Sequence, residues 1–475
     1  MFAAKLTRRL VLATLIAVAV LAGGSTHVAP ALAVARSAAR PAAPDYVPGE
    51  VVVGYAPTRP GEAEIAHATR AIGADAVADA GAAIASGGGM QVVKVPRGSS
   101  IGRTIAQLRR RPGVLYAVPN YIAHQAGGWI PNDEGNTHHL KGWQSMQWNF
   151  LAGVGVDAPD AWAHMFADHR PGGKGVVIAV LDTGVAYTNW EQFRKSPDFA
   201  GTHFVDPYDF VANNPYPLDR EGHGTFVAGM IAEATNNKIG LTGLAYGATI
   251  MPVRVLDADG NGNSSTIAQG IRYAVMHHAQ VINLSLEFDI TVTASEIPDI
   301  ISAIRFAHRH GVVVVAAAGN DSSLHLAYPA AAQDVISVGA TTRDECIADY
   351  SNSGAKLDLV APGGGDDASL VSDPDCHPLR NLPAVHQMTF SDFDSLDPGA
   401  NPDRFSLPPS YGTSMAAPEV SATAALVIAS RVLGKHPTPN QILARLEQTA
   451  TPLGGSAPNS DYGYGLVNAG AATAR

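Results

Sequence analysis

Two patterns of apolar residues run along this chain. In residues 46–124, apolar stretches such as "GEVVVGYA" predict strands, and segments such as "SIGRTIAQLRRRPGV" predict helices. From residue 145 onward the apolar runs are short and almost continuous, as in "GVVIAVLD" and "GVVVVAAAGN", with helix-like segments between them. Strands of this kind are typical of a parallel sheet that is covered on both faces. The sequence therefore predicts an α/β fold, a parallel sheet sandwiched by helices, after a small α+β domain.

The remaining segments lack this periodicity. Residues 34–45 form an Ala- and Pro-rich linker, and residues 125–144 form a polar, Gly-rich boundary that suits a cleavage segment. Inside the second domain, which we assign to residues 145–475, a Pro-, Asp- and Gly-rich insertion occupies residues 363–410.

Residues 1–33 predict a signal peptide. Basic residues precede the apolar stretch "LVLATLIAVAVLAGG", and "APALA" offers small residues for cleavage after Ala33 or Ala35. An uncleaved anchor and a twin-arginine export signal are the alternatives. We expect a protein that leaves the cytosol for the periplasm or the medium, without a stable membrane anchor.

Composition narrows the class of protein. The 475 residues are 46% hydrophobic and 16% charged, which indicates a globular chain with a sizeable core. The formal net charge of −10 and the lack of a basic patch argue against a nucleic-acid partner. The two cysteines, Cys346 and Cys376, predict a disulfide, since an isolated pair in an exported protein is more often bonded than free.

Four residues stand where an open α/β sheet places its chemistry. Asp182 and Asn320 each end an apolar strand, His223 lies between two glycines at a helix start, and Ser414 lies in "YGTSMAAPEV" before an apolar helix that Thr413 could cap. Each residue alone has a plain interpretation as a turn or cap. Together they supply the carboxylate, the oxyanion donor, the base and the nucleophile that acyl transfer requires.

The motifs around these residues resemble a known family. "AVLDTGV", "GHGTFVAG", "AAAGN" and "GTSMAAP" are similar, in this order, to the signatures of the subtilisin family of serine proteases. The likeness covers roughly residues 132–475. Residues 46–124 resemble the family's propeptide, of the inhibitor-I9-like kind.

The resemblance implies a secreted serine endopeptidase that is made as an autoprocessed zymogen. Asp182, His223 and Ser414 would form the triad, and Asn320 would complete the oxyanion hole. The propeptide would inhibit the enzyme until it is removed, leaving a mature chain that starts near "PNDEGN" or at "MQWNF". The expected enzyme is a monomer that acts on polypeptides and needs no cofactor for catalysis.

The resemblance also implies a peptide-binding cleft with two edges and a side-chain pocket. The first edge would be formed by Ser285, Leu286 and Glu287, and the second edge by Gly260, Asn261 and Gly262. The pocket wall would be formed by Ala317, Ala318 and Gly319.

Three residues depart from the family pattern, and segment 184–222 is longer than usual. Glu287 stands where the family has glycine, and Phe226 and Glu419 stand where it has histidine. Glu287 either favours Lys or Arg a few positions before the scissile bond or points to solvent.

A structural calcium site is the one cofactor that the resemblance suggests. "TNNKIGLTG" resembles the family's calcium loop, and an ordinary polar turn is the alternative. "DADGNGN" is not an EF-hand, since its twelfth position is Ala268 rather than Glu. The expected ligands are side-chain oxygens of Asp198 and Asn237 and carbonyl oxygens of Thr235, Ile239 and Leu241.

A second class of function competes with the enzyme. A catalytically silent binding protein could keep the same fold, and an esterase could use the same residues. Because every chemical position is filled, we favour the endopeptidase.

Overall fold

The computed structural model describes residues 46–55, 76–79, 89–95, 100–121, 129–135, 142–370, 373, 376–392 and 402–475. The predicted signal peptide and linker lie outside the described residues. The chain divides into two units, Met1–Gln125 and Ala126–Arg475. Within the described part, no helix is both long and apolar enough to cross a membrane.

The N-terminal unit is a small antiparallel sheet with one described helix. Its described elements are β1 (Tyr46–Tyr55), β2 (Ala76–Asp79), β3 (Gly89–Lys94), α1 (Ile101–Leu108) and β4 (Val114–Tyr121). The strands lie in the order β2-β3-β1-β4. Helix α1 begins after Ser100, whose hydroxyl accepts a hydrogen bond from Arg103 N at 3.2 Å. Leu108 packs against Val51 and Val93 in the core of this unit.

The larger unit is built on a parallel sheet, as predicted. Its α-helices and strands, in chain order, are α2 (Ala158–Ala167), β5 (Val177–Asp182), β6 (His203–Phe204), β7 (Tyr208–Asp209), α3 (His223–Ala232), β8 (Thr249–Arg254), α4 (Ser264–Met276), β9 (Val281–Leu284), α5 (Pro298–Arg309), β10 (Val313–Ala317), β11 (Ile336–Thr341), β12 (Leu359–Pro362), β13 (Val385–His386), β14 (Thr389–Phe390), β15 (Phe405–Ser406), β16 (Pro409–Ser410), α6 (Thr413–Ser430), α7 (Pro439–Thr449) and α8 (Ala469–Thr473). The described strands of the parallel sheet lie in the order β12-β11-β10-β9-β5-β8-β6, with β7 also paired to β8.

Two hydrophobic cores explain why the strands are apolar without alternation. Along β5, Ile178 and Val180 belong to one core, which includes α6, while Ala179 and Leu181 belong to the other, which includes α4 and α5. Successive side chains of a strand point to opposite faces, so a sheet covered on both sides needs apolar residues at every position. In β5 the only polar residue, Asp182, is therefore the last residue of the strand.

The described part of segment 363–410, which the sequence predicts to be an insertion, contains two short antiparallel pairs, β13 with β16 and β14 with β15. It packs on α3, where Thr389 Oγ1 donates to the Gly222 carbonyl at 2.6 Å and Val385 joins Phe226 in a buried cluster. The predicted disulfide between Cys346 and Cys376 is present, with 5.7 Å between the Cα atoms.

Helix α6 buries an acidic side chain that the sequence leaves unexplained. Glu419 has no exposed surface, and its Oε1 accepts a hydrogen bond from Asn149 Nδ2 at 2.6 Å. Glu419 Oε2 and Asn149 Oδ1 have no partner among the described residues. Burial raises the pKa of Glu419 well above its usual range. When Glu419 is protonated, its carboxyl carries an O–H donor, and Asn149 Oδ1 is an acceptor in need of one.

We expect Glu419→Gln to remove a pH-dependent loss of stability. A carboxyl whose folded pKa is raised stabilises the fold below the unfolded pKa, and this stabilisation is lost as pH rises toward the folded pKa. The loss is about 1.4 kcal/mol for each pH unit between the two pKa values. Glutamine keeps an oxygen that accepts from Asn149 Nδ2, and its amide group carries N–H donors that do not titrate.

Thermal unfolding of the two proteins between pH 5 and 10, in a Ser414→Ala background, measures this. The variant should gain stability over the parent as pH rises. Glu296→Gln, which removes an exposed charge, is the control. Parallel pH curves for the parent and Glu419→Gln would contradict the assignment.

Candidate active site

Asp182 is a buried carboxylate at the carboxyl end of β5. Its Oδ1 accepts a hydrogen bond from Thr183 N at 2.7 Å and lies 2.7 Å from His223 Nδ1. Its Oδ2 has no partner among the described residues, and the side chain has no exposed surface. A carboxylate withdrawn from water this completely requires a strong partner, and the imidazole is in position to be that partner.

Two glycines bring the start of α3 against β5. Gly222, which precedes the helix, has φ +115°, a conformation that favours glycine. A Cβ on Gly224 would collide with the carbonyl oxygen of Gly184 and press on Asp182. The "GHG" motif therefore holds its histidine beside the carboxylate because neither neighbour carries a side chain.

Asp219 is a structural residue that the sequence analysis missed. Its Oδ1 accepts hydrogen bonds from Thr183 Oγ1 and Gly222 N at 2.9 Å each, and its Oδ2 accepts them from Thr225 N and Oγ1 at 2.9 and 2.6 Å. It thereby caps the N-terminus of α3, because Gly222, at the N-cap position, has no side chain that could accept these hydrogen bonds. An Asp four residues before a helix-starting His was the available signal.

Acidic neighbours control the protonation of His223. Burial lowers its pKa, but the carboxylates of Asp182, Glu221 and Asp219 outweigh burial and raise the pKa to about 9. Glu221 Oε2 also accepts a hydrogen bond from His223 N at 2.6 Å. The side chain of His223 keeps 20% of its surface exposed, which leaves the ring open to the cleft.

Ser414 lies in the first turn of α6. Thr413 is the first helical residue rather than the cap, which is Gly412 with φ +150°. Pro418 has no N–H to donate to the carbonyl oxygen of Ser414 one turn earlier, and Ser285 Oγ donates to that oxygen instead at 2.8 Å. Ser414 Oγ donates to Ser285 O at 3.3 Å and makes no hydrogen bond to His223 among the described contacts.

Asn320, which follows β10, has its side chain fixed by two neighbours. Its Oδ1 accepts hydrogen bonds from Thr413 N and Thr413 Oγ1 at 2.9 and 3.0 Å. Its Nδ2 donates to Glu287 Oε1 at 3.3 Å, and its backbone N donates to Glu287 Oε2 at 3.0 Å. The contact with Glu287 was not predicted from the sequence.

One cleft of about 430 Å³ gathers most of the predicted site. Ala318 and Gly319, predicted for the pocket wall, are buried and do not line it. Asp182 lies behind His223 and is not in the lining either. The predicted residues that do line the cleft are His223, Gly260, Asn261, Gly262, Ser285, Leu286, Glu287, Ala317, Asn320 and Ser414.

The predicted calcium loop folds around Asp198. Its Oδ1 accepts a hydrogen bond from Asn237 Nδ2 at 2.7 Å, and its Oδ2 accepts one from Leu241 N at 2.9 Å. Among the backbone contacts of the described residues, none uses the carbonyl oxygens of Thr235, Ile239 or Leu241. The loop thus offers carboxylate, amide and carbonyl oxygens, the donor types that calcium prefers.

Three acidic groups near this loop share a local excess of negative charge. Burial, with a smaller contribution from the charge of nearby Asp133, raises the pKa of Asp198 to about 7. Glu233 is buried with both carboxyl oxygens unpartnered among the described residues, and burial followed by the charges of Asp198 and Asp133 raises its pKa. The described residues contain no group of three or more His, Cys, Asp and Glu arranged to hold a metal. A cation here would therefore need the carbonyl and amide oxygens in addition to the Asp198 carboxylate.

The sequence profile of the subtilase family, peptidase S8, matches residues 173–465. This chain belongs to the subtilase family. The subtilase is 34% identical over 423 residues to the thermophilic serine proteinase of Bacillus sp. strain AK1, covering 89% of this chain and 86% of the relative. It is 37% identical over 336 residues to subtilisin BL of Lederbergia lenta, covering 70% and 99% of the two chains.

The subtilase also resembles a solved protease structure from Pseudoalteromonas arctica, with a TM-score of 0.57 and 30% identity. The likeness covers 73% of this chain and 99% of the other. These relatives confirm that the chain is a serine endopeptidase rather than a silent binding protein. Residues 33–120 match the fervidolysin N-terminal prodomain, so the propeptide is fervidolysin-like rather than of the I9 kind.

The acidic surroundings of His223 predict an alkaline shift of the subtilase's pH profile. Only neutral imidazole accepts a proton, so kcat/KM should rise with pH through an apparent pKa above the ordinary 6.5. Glu221→Gln keeps an oxygen acceptor for His223 N but removes one charge. We expect it to lower the apparent pKa by about 0.5–1 unit.

Profiles of kcat/KM on a neutral peptide between pH 5 and 10 measure this shift. Asp289→Asn, which removes a charge from the same cleft without touching His223, is the control. An apparent pKa that is the same in wild type and Glu221→Gln would rule out this electrostatic role for Glu221.

Proposed function

We propose that the subtilase hydrolyses peptide bonds through an acyl-enzyme on Ser414, with His223 as the base and Asp182 as its orienting carboxylate. The contact of 2.7 Å between His223 and Asp182, at the edge of a cleft that Ser414 and Asn320 also line, carries this proposal. Because Nδ1 faces the carboxylate, its proton stays there and Nε2 is free to accept the serine proton. The Ser414–Ser285 contact of 3.3 Å is weak enough to be exchanged for one to His223.

The oxyanion would form between two donors. One is Asn320 Nδ2, whose orientation is set by the two bonds from Thr413 to Oδ1. The other is Ser414 N, which lies in the first turn of α6, where backbone N–H groups have no partner within the helix. The positive end of the helix dipole adds to this stabilisation. Removing one such donor costs about 3–4 kcal/mol of transition-state stabilisation.

We propose that the enzyme removes its own propeptide upstream of Asp133. The Asp133 carboxylate accepts hydrogen bonds from Asn236 N and Asn237 N at 2.8 and 3.0 Å, and Asp133 O accepts one from Trp143 N at 3.1 Å. A mature chain that began at Met146 would lose these bonds. The start near "PNDEGN" therefore has more structural support than the start at "MQWNF".

Ser414→Ala should leave the precursor uncut and unlabelled by a fluorophosphonate probe, because no acyl-enzyme can form. Ser430→Ala, the same substitution at the far end of α6, should mature and be labelled normally. Mass spectrometry of both proteins from a protease-free host measures maturation. Processing of Ser414→Ala in that host would contradict self-cleavage, and its labelling would contradict Ser414 as the nucleophile.

We propose that the loop at residues 235–241 binds a structural calcium ion. Asp198, Asn237 and the carbonyl oxygens of Thr235, Ile239 and Leu241 would hold it. The ion would compensate the carboxylates of Asp198 and Glu233, whose pKa values are raised by burial and then by neighbouring negative charge. Its contribution would be to stability and not to the chemical step.

Calcium should raise the apparent melting temperature of the EDTA-treated Ser414→Ala precursor by about 5 °C at a hundredfold excess over Kd. Asp198→Asn should abolish this increase. Asp257→Asn, in the other Asp-rich loop, should keep it, because Asp257 Oδ1 only closes a turn by accepting from Asp259 N and Asn261 N. An equal response of all three proteins would refute the site.

We also propose export, on the basis of the signal-like residues 1–33 and the disulfide. That the enzyme acts as a monomer stays a prediction.

A further inference from the structure

The substrate cleft carries an excess of negative charge. Glu221, Glu287 and Asp289 line it, and none of its described lining residues is Lys or Arg. Glu287 and Asp289 are exposed, so a peptide in the cleft can reach them. The lining therefore favours cationic side chains of a substrate.

Glu287 is the lining carboxylate that contacts the proposed oxyanion donor, Asn320. It spans both nitrogens of Asn320, with Oε2 3.0 Å from the backbone N and Oε1 3.3 Å from Nδ2. An amide Nδ2 carries two hydrogens. One hydrogen points to Glu287, and the other remains for an oxyanion.

Glycine at position 319 is what admits this carboxylate. Gly319 has φ +111°, and a Cβ there would lie 2.5 Å from Glu287 Oε2. Glu287 thus occupies space on the pocket wall that a side chain at 319 would fill. The same wall exposes Ala317 to the cleft.

The position of Glu287 beside Asn320 corresponds to one residue of a bound substrate. The carbonyl carbon that Ser414 attacks belongs to the residue immediately before the scissile bond, P1, and its oxygen faces Asn320 Nδ2. The P1 Cα is bonded to that carbonyl carbon, so the P1 side chain leaves the backbone beside Asn320 and Ala317. A long cationic side chain there reaches Glu287.

We propose that Glu287 is a specificity-determining residue that binds the guanidinium of Arg or the ammonium of Lys at P1. The inference rests on the proposed roles of Ser414 and Asn320. It places the basic preference at P1 itself, rather than a few positions upstream as the sequence suggested.

The location of the charge makes the selection act on the chemical step. An unpaired carboxylate on Asn320 repels the negative charge that develops on the oxyanion. A basic P1 side chain neutralises the carboxylate as it binds. Arg or Lys should therefore raise kcat as well as lower KM, whereas norleucine leaves the repulsion in place. Although the residue is exposed to the cleft, partial burial of the Glu287 carboxylate raises its pKa, and none of the groups that act on it is a cation.

The test compares peptides that differ only at P1, with Arg, Lys, norleucine or Glu. Wild type should cleave the Arg and Lys peptides with about tenfold higher kcat/KM than the norleucine peptide, and salt should reduce this ratio. Glu287→Gln should lower the ratio to about threefold or less and raise kcat for norleucine. Asp289→Asn, which leaves Asn320 untouched, should keep most of the preference.

Two results would overturn the proposal. One is a wild-type enzyme that prefers norleucine or shows no preference, a result that needs no variant to fold. The other is an equal loss of kcat for all four peptides in Glu287→Gln, which would mean that Glu287 only orients Asn320. Fluorophosphonate labelling separates these from failure of the proposed function. Labelled Ser414 with an unchanged P1 profile counts against Glu287 alone, whereas cleavage by Ser414→Ala counts against the catalytic assignment.

Discussion

A carboxylate without access to water determines much of the site's construction. Asp182 ends a buried strand with only one of its two oxygens hydrogen-bonded among the described residues. His223 can compensate this charge only if α3 approaches β5 closely, which is why residue 224 lacks a side chain, while Gly222 adopts the positive φ that begins the helix. The glycine before α3 leaves its first N–H groups without a cap, and Asp219 supplies the missing acceptors. Each feature follows from the one before.

The sequence could predict the residues whose positions follow from strand and helix ends. Asp182 is the last residue of β5 and Asn320 is the first polar residue after β10. Both strands are buried on both faces, so the pattern itself marks these two residues. His223 and Ser414 begin helices and are flanked by small residues. By contrast, Asp219 and Glu221 lie in a long segment without periodicity. Their roles depend on which groups the chain brings near them, and no local pattern encodes that.

The insertion shows the same limit at a longer range. The bond between Thr389 and Gly222 joins residues 167 positions apart, and the side chain of Thr413 turns away from capping because Asn320 offers an acceptor. Propensity favours a threonine cap, but a tertiary partner decides otherwise. Phe226, a departure from the family's histidine, is explained once Val385 of the insertion packs beside it.

The acidic cleft couples two properties of the enzyme. Glu221 contributes to the field that raises the pKa of His223 and also lines the surface that meets the substrate. A lining that attracts cations therefore also favours the protonated form of His223, which could not act as the proposed base. Substrate preference and working pH are linked in this cleft and would shift together as its charge changed.

Pro418 leaves the proposed nucleophile, Ser414, with a hydrogen bond to Ser285 that an ordinary helix would not make. Because the ring nitrogen of Pro418 cannot donate to the Ser414 carbonyl oxygen, Ser285, which follows β9, donates to it instead. Asn283, within β9, contacts both Ser285 and Ser421. The proposed peptide-binding edge and the peptide plane of the proposed nucleophile are thus joined directly by hydrogen bonds. A force that a bound chain exerts on this edge acts directly on the orientation of Ser414, without passing through the sheet.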